Sequence, residues 1–252
     1  MKTTIKSIIL MAALTLVWGC SSDNNDVASS TFVASETPDW KVNWSSNDTR
    51  PSWITPNPSL FESSMIIMVK LQDELVPYST NDDIMSVFIN NECRAISKPD
   101  GDGNDIYFIM NVHGNDTDHD VKFTLNYYCA SLKQLFTLSE EGTYIAERNF
   151  GTEKDYVVPL LKGSTKYPVQ SVLNVGLPEN KPFETSPNDL LAAFVGNECR
   201  GVCKQGSPLT VYSSQAGETI QLRYYSELKK GIYTSPQTIQ VTGESKNVLM
   251  PF

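Results

Sequence analysis

Trp40, Trp44 and Trp53 fall within 14 residues of one another, with Arg50 among them. Indole faces stack on the apolar faces of sugar rings. Asn43, Asn47, Asp48 and Arg50 add hydrogen-bonding groups, so this stretch is a candidate ligand platform. The other reading open at this point is a Pro-rich segment that buries its indoles as a cap on a domain. Asp100, Asp102, Asn104 and Asp105 set oxygens at alternating positions, the pattern that begins a calcium loop. That loop carries Asp105 where Gly is wanted and Asn111 where Glu is wanted, so a solvated hairpin tip competes with a calcium site. His113 and His119 flank Asp116, Asp118 and Asp120 without a third soft ligand at metal spacing. The chain's two histidines both lie here, which leaves little for imidazole catalysis. No nucleophile elbow, zinc-protease helix, phosphate loop or dinucleotide fingerprint occurs. We therefore expect no catalytic residues and no cofactor beyond that calcium, with a carboxylate-pair hydrolase as the least favoured reading.

The composition frames these groups. The 252 residues are 40% apolar and 19% charged, as in a globular chain. Lys+Arg number 20 against 29 Asp+Glu, a net charge of −9, which argues against a nucleic-acid partner.

Residues 1–19 read as a secretory signal. Lys2 and Lys6 form a positive start, and Ile8 to Val17 is an apolar run too short to span a bilayer. It ends at Val17-Trp18-Gly19-Cys20, which resembles a bacterial lipobox, although Trp18 stands where a small residue is usual. The resemblance implies cleavage before Cys20 and acylation of its thiol. Residues 20–35, rich in Ser, Asp and Asn, are too polar to pack and are expected to form a disordered tether. A Ser/Asp run after the lipid cysteine looks like the surface-export signal of Bacteroidota lipoproteins. We expect an outer-membrane location, held by acyl chains, with the extracellular face favoured over the periplasmic one. Loss of residues 1–19 leaves 18 cationic residues against 29 acids, net −11.

The rest of the chain is organised by an internal repeat. NDDIMSVFINNECRAISK (81–98) and PNDLLAAFVGNECRGVCK (187–204) align without gaps at an offset of 106. From Asp83/Asp189 to Lys98/Lys204, seven of 16 positions are identical. The match resumes at 121–133 and 218–229 with one gap. This is a tandem duplication of a domain of about 100 residues. Its periodicity is two: Val121, Phe123, Leu125 and Tyr127 alternate with Lys122, Thr124 and Asn126. Many short strands with turn signals predict an all-β chain of two tandem β-sandwich domains, Ig-like or jelly-roll-like. The expected boundaries are a Trp-bearing segment at 36–60 on or near the first domain, then domains at 61–163 and 164–252. A further strand is expected at 155–161.

In each copy a two-residue turn, Asn90-Asn91 or Gly196-Asn197, closes a hairpin. It pairs Phe88 with Cys93 and Val87 with Arg94, and in the second copy Phe194 with Cys199 and Ala193 with Arg200. Phe88/Cys93 and Phe194/Cys199 are expected to face a core, with Cys203 on the same side. Glu92/Arg94 and Glu198/Arg200 are expected to form same-face ion pairs with a structural role. The stretch AAFVGNECRGV resembles a repeat of uncharacterised Bacteroidota surface lipoproteins. That resemblance implies a fold and a location, and no activity.

Of the five cysteines, Cys20 is assigned to lipid. Cys93 and Cys199 are one position seen twice, and Cys93–Cys129 is the one within-domain bridge to consider. The function expected is a non-catalytic binding module for a glycan or an envelope protein. The alternative is a scaffold component of a cell-envelope or fimbrial complex.

Overall fold

The computed structural model describes residues 29–103, 105–139 and 142–252. The signal segment, Cys20, most of the tether and Asn104 lie outside the described residues. Alternation of apolar and polar side chains drives the architecture. Along Met65, Ile67 and Val69 every second side chain is buried, the pattern of a strand with one face in a core. The same period recurs along both copies, and the chain is all-β. Among the described residues the only helical elements are three-residue 3-10 turns.

The strands in chain order are β1 (Thr31–Ala34), β2 (Ser63–Lys70), β3 (Ile84–Ile89), β4 (Glu92–Ser97) and β5 (Asp100–Asp102). There follow β6 (Asp105–Gly114), β7 (Phe123–Cys129), β8 (Gln134–Leu138), β9 (Asn149–Phe150) and β10 (Leu161–Ser164). The second half contains β11 (Val169–Gly176), β12 (Leu190–Val195), β13 (Glu198–Lys204), β14 (Leu209–Ser213), β15 (Glu218–Ser226), β16 (Gly231–Val241) and β17 (Ser245–Leu249). They build two β-sandwiches. In the first, the sheet β10-β8-β7-β3-β4 faces the sheet β5-β6-β2-β9 across a core containing Ile67, Phe108, Val87, Tyr127 and Phe136. In the second, β1-β16-β15-β12-β13 faces β14-β11-β17 across Leu173, Val211, Leu191, Ile220 and Tyr224. Both sandwiches close in the same way, by a late strand running parallel to the first strand of the copy. These pairs are β9 with β2, and β17 with β11.

Three expectations are corrected. Residues 31–34 are not part of a disordered tether: they form β1, paired antiparallel with β16 of the second sandwich. Thr31, Phe32 and Val33 favour extended backbone, and the edge of β16 offers amides and carbonyls to pair with. The segment after β1 does not stay on the first sandwich either. Thr37 bonds Tyr225 and Trp40 meets Phe194 on the second, before Asp48 and Trp53 reach the first. No strand covers 155–161. Val157 makes an isolated parallel bridge to Val69, and a strand begins only at Leu161, beyond Pro159, which has no amide for a ladder.

The downstream alignment also needs no gap. Lys133 and Lys230 both take a left-handed backbone with φ 47°, each at the turn before the next strand. The offset is therefore 97 throughout this stretch, from Tyr127/Tyr224 to Lys133/Lys230.

Candidate functional site

Each hairpin turn is left-handed as its residues allow. Asn90 and Asn91 have φ 51° and 64°, the pattern of a type I′ turn, while Gly196 has φ 59°. Beyond the turn both copies slip register by one residue. Val87 pairs with Ala95 and Ala193 with Gly201, so Arg94 and Arg200 sit in bulges. The expected Val87–Arg94 and Ala193–Arg200 pairs are thus not formed. The bulge also reverses alternation: Cys199 lies on the outer face with Phe194 and Ala192, whereas Cys203 packs against the inner core. Gly201 is needed here, because a Cβ would come within 1.9 Å of the Thr210 carbonyl oxygen.

Phe88/Cys93 and Phe194/Cys199 do share a face in each hairpin, but not the face of the main core. Val87 and Ile89, like Ala193 and Val195, point inward, so the intervening phenylalanines point outward. The N-terminal segment covers them. Trp53 meets Phe88 edge-on at 6.0 Å, and Trp40 meets Phe194 edge-on at 5.6 Å. Tyr128 and Tyr225, equivalent positions, bond the same segment through the Asp48 carbonyl and the Thr37 hydroxyl. The segment is a strap that contacts both sandwiches at matching places.

The recurring Asp and Arg are buried and have matching partners. Asp83 accepts from the Thr80 amide, the Ala130 amide and the Tyr127 hydroxyl. Asp189 accepts from the Ser186 amide, the Glu227 amide and the Tyr224 hydroxyl. Burial first, then the neighbouring Cys129 and the Asp83 carboxylate, push the Tyr127 hydroxyl far above its ordinary range, so it remains a donor. Arg94 pairs with Asp118 at 2.9 Å and Glu92 at 3.2 Å, donates to the His113 carbonyl and lies over the Phe61 ring. Arg200 pairs with Glu218 at 3.2 Å and Glu198 at 3.4 Å, donates to the Tyr212 carbonyl and lies over the Tyr167 ring. The Glu–Arg pairs therefore form as expected. The additional acids Asp118 and Glu218 carried no recurring sequence signal, because one sits in the His/Asp loop and the other opens a strand. Each arginine reaches the opposite sheet through a carbonyl, His113 on β6 or Tyr212 on β14, while Glu218 lies on β15 of the hairpin's own sheet, and the charges are paired within the chain.

The tryptophans do not form a common platform. Trp44 is 4% exposed and is wedged edge-on against Phe136, Tyr167 and Tyr212, residues from the first sandwich, the connection and the second sandwich. Arg50 donates to the Asp82 carbonyl. The cap reading holds for Trp44, and Trp40 and Trp53 each cover a different hairpin.

At the junction next to Trp44 is a cleft of about 410 Å³. Its apolar wall comes from Val42, Trp44, Tyr78 and Tyr212, and its polar groups are Lys41, Glu74, Gln170 and Thr210. Glu74, from the first sandwich, lies beside the Tyr212 hydroxyl of the second. Although the residue remains exposed overall, protein packed around its carboxyl raises its pKa, against the opposing effect of the Tyr212 hydroxyl. On the other side of the connection Glu198 accepts from Lys166 and from the Tyr167 hydroxyl. Burial alone would raise Glu198, but the bonds from Tyr167 and Lys166 and the Arg200 charge outweigh it and hold the carboxyl below its usual range. The cleft escaped the sequence because its residues come from widely separated segments, 41–44, 74–78, 160, 170–172 and 201–212.

In the calcium candidate, Asp100 and Asp105 lie on a tight hairpin through Gly101 at φ 88° and Gly103 at φ 59°. Asp105 is bound by Lys70 at 2.6 Å, and Asp100 accepts from the Gly101 amide. Among the described residues no group of three or more His, Cys, Asp or Glu is placed to hold a metal ion. Cys93, Cys129, Cys199 and Cys203 are all free thiols, so the Cys93–Cys129 bridge is not formed. Cys129 lies in the core donating to the Tyr78 carbonyl, while Cys93 lies on the outer face. No family model, curated protein or solved structure matches the chain.

Proposed function

We propose that the protein is a lipid-anchored, surface-facing outer-membrane protein that binds a glycan without catalysing a reaction. The observation that carries the reading is the junction cleft. It combines aromatic walls with a few converging hydrogen-bonding groups, the chemistry that holds a sugar ring. Gln170 and Thr210 supply neutral polar groups, and Glu74 and Lys41 supply one acceptor and one donor. The N-terminal Cys20 signal supports the location.

The test is titration of the mature chain with an oligosaccharide panel, read by Trp fluorescence and calorimetry. Trp44 lies in the cleft wall, so binding there shifts its emission, and Gln170→Ala with Thr210→Val removes the response. A panel that produces no heat and no shift overturns the reading. Anchorage is tested separately by fatty-acid labelling of cells, which Cys20→Ala abolishes.

A further inference from the structure

The position occupied by β1 is filled differently in the two copies. In the first sandwich the outer edge of β8 is covered by β10, with Ser164 opposite Phe136. In the second, the equivalent edge of β16 is covered by β1, with Phe32 opposite Tyr233. Phe136 and Tyr233 are the same position at the offset of 97. One edge is thus closed by a strand from its own copy, and the other by a strand from some 200 residues away in the chain.

The two covering strands are held unequally. Leu161, Gly163 and Ser164 of β10 are buried. All four residues of β1 are exposed, with Phe32 at 48% and Val33 at 63%. What recognises β1 is the ladder and one close fit. The Phe32 ring occupies the space where a Cβ on Gly231 would fall, and it lies 4.8 Å from the Tyr233 ring. The backbone ladder runs from Thr31/Thr234 to Ala34/Gly231, and the Ser35 amide continues it to the Lys230 carbonyl.

We propose that the β16 edge is a strand-exchange site, occupied in an assembled state by residues 31–34 of a second copy of this chain. The segment that fits the Gly231 notch and the register of β16 is the chain's own Thr31-Phe32-Val33-Ala34. A second copy brings the same segment, so exchange replaces each contact by an identical one at little net cost. The exchanged length is released by breaking the Thr37–Tyr225 bond and the Trp40–Phe194 contact, leaving Trp44 as the fixed point. A chain with one such edge and one such strand passes its strand to the next, in closed dimers or in open series.

The test uses the full mature chain. Val33 and Ile232 are opposite one another in the ladder. One preparation carries Val33→Cys and another Ile232→Cys; they are mixed at high concentration and oxidised. Exchange gives a disulfide joining the two different chains. The unsubstituted chain under the same oxidation shows whether the natural thiols cross-link by themselves. Thermal melts of each single variant establish that both are folded. The proposal is overturned if the folded variants do not cross-link when mixed, while the doubly substituted chain closes its bond internally. A Gly231→Val variant fills the notch, and it is expected to suppress the cross-link while the melt still shows folded sandwiches.

Discussion

The hydroxyl of Tyr224 donates to the carboxylate of Asp189 at 2.7 Å inside the second sandwich, with both residues fully buried. Asp189 also takes the amides of Ser186 and Glu227. Removing the carboxylate leaves three donors unpaired, at about 1–3 kcal/mol for each buried group. Asp189→Ala is expected to destabilise the chain by roughly 3–5 kcal/mol in urea unfolding. Tyr224→Phe, which removes one bond, is expected to cost about 1 kcal/mol. The same contrast is expected for Asp83→Ala and Tyr127→Phe. An Asp189→Ala loss no larger than that of Tyr224→Phe would contradict the hub role.

Arg94 and Asp118 form a buried pair, with side-chain exposures of 5% and 4%. Removing one partner leaves an uncompensated charge, which costs about 3–5 kcal/mol. Arg94→Met is expected to destabilise by that amount. Adding Asp118→Leu to it is expected to recover most of the loss, since a buried pair replaced by apolar residues is often neutral. A double variant as unstable as the single one would show that geometry, and not charge, sets the cost.

Trp44 touches both sandwiches and their connection, whereas Trp40 and Trp53 cover outer faces. Trp44→Ala is expected to cost about 3–5 kcal/mol, as for a large aromatic removed from a core. Trp40→Ala and Trp53→Ala are expected to cost less, because each residue is only half-buried. Unfolding of the Trp44→Ala chain is expected to separate into two transitions, one per sandwich, visible by calorimetry. A single unshifted transition would remove the wedge role.

Glu74 is expected to make the junction pH-dependent. Its carboxyl is raised above the ordinary value of 4.5, so the folded state binds its proton more tightly than the unfolded state does. The stability it lends is complete below that value and is lost as pH rises through the raised one. Glu74→Gln, uncharged at every pH, is therefore expected to gain on the wild type as pH rises from about 4 to about 8. Melting temperatures of the two chains across that range measure the difference. A difference that stays flat with pH would mean that the carboxyl titrates as it does in water.

Much of the architecture was readable because period-two alternation and the duplicated hairpin both report on local backbone. The buried Asp and Arg could be found because they recur, although their partners could not. Arg94 and Arg200 are paired by different acids from different elements, and alignment does not reveal such contacts. Phe88 turns outward by plain alternation, because Val87 and Ile89 on its unbulged strand take the core, whereas the divergence of Cys199 from Cys203 was missed because of the bulge. A single bulge residue reverses every later side chain, and no residue type announces it. The tryptophan cluster misled because closeness in sequence was read as closeness in space. An extended strap instead carries each indole to a different part of the fold.

The strap also defines how the molecule takes a pull. Any tether attached ahead of residue 29 transmits tension first to the four-residue pairing of β1, then to Thr37 and Trp40, and only afterwards to the wedge at Trp44. The early attachments are short and exposed, while the last is enclosed by three aromatic rings. Extension is therefore expected to break these attachments to the second sandwich in order, lengthening the leash before the Trp44 wedge takes the load.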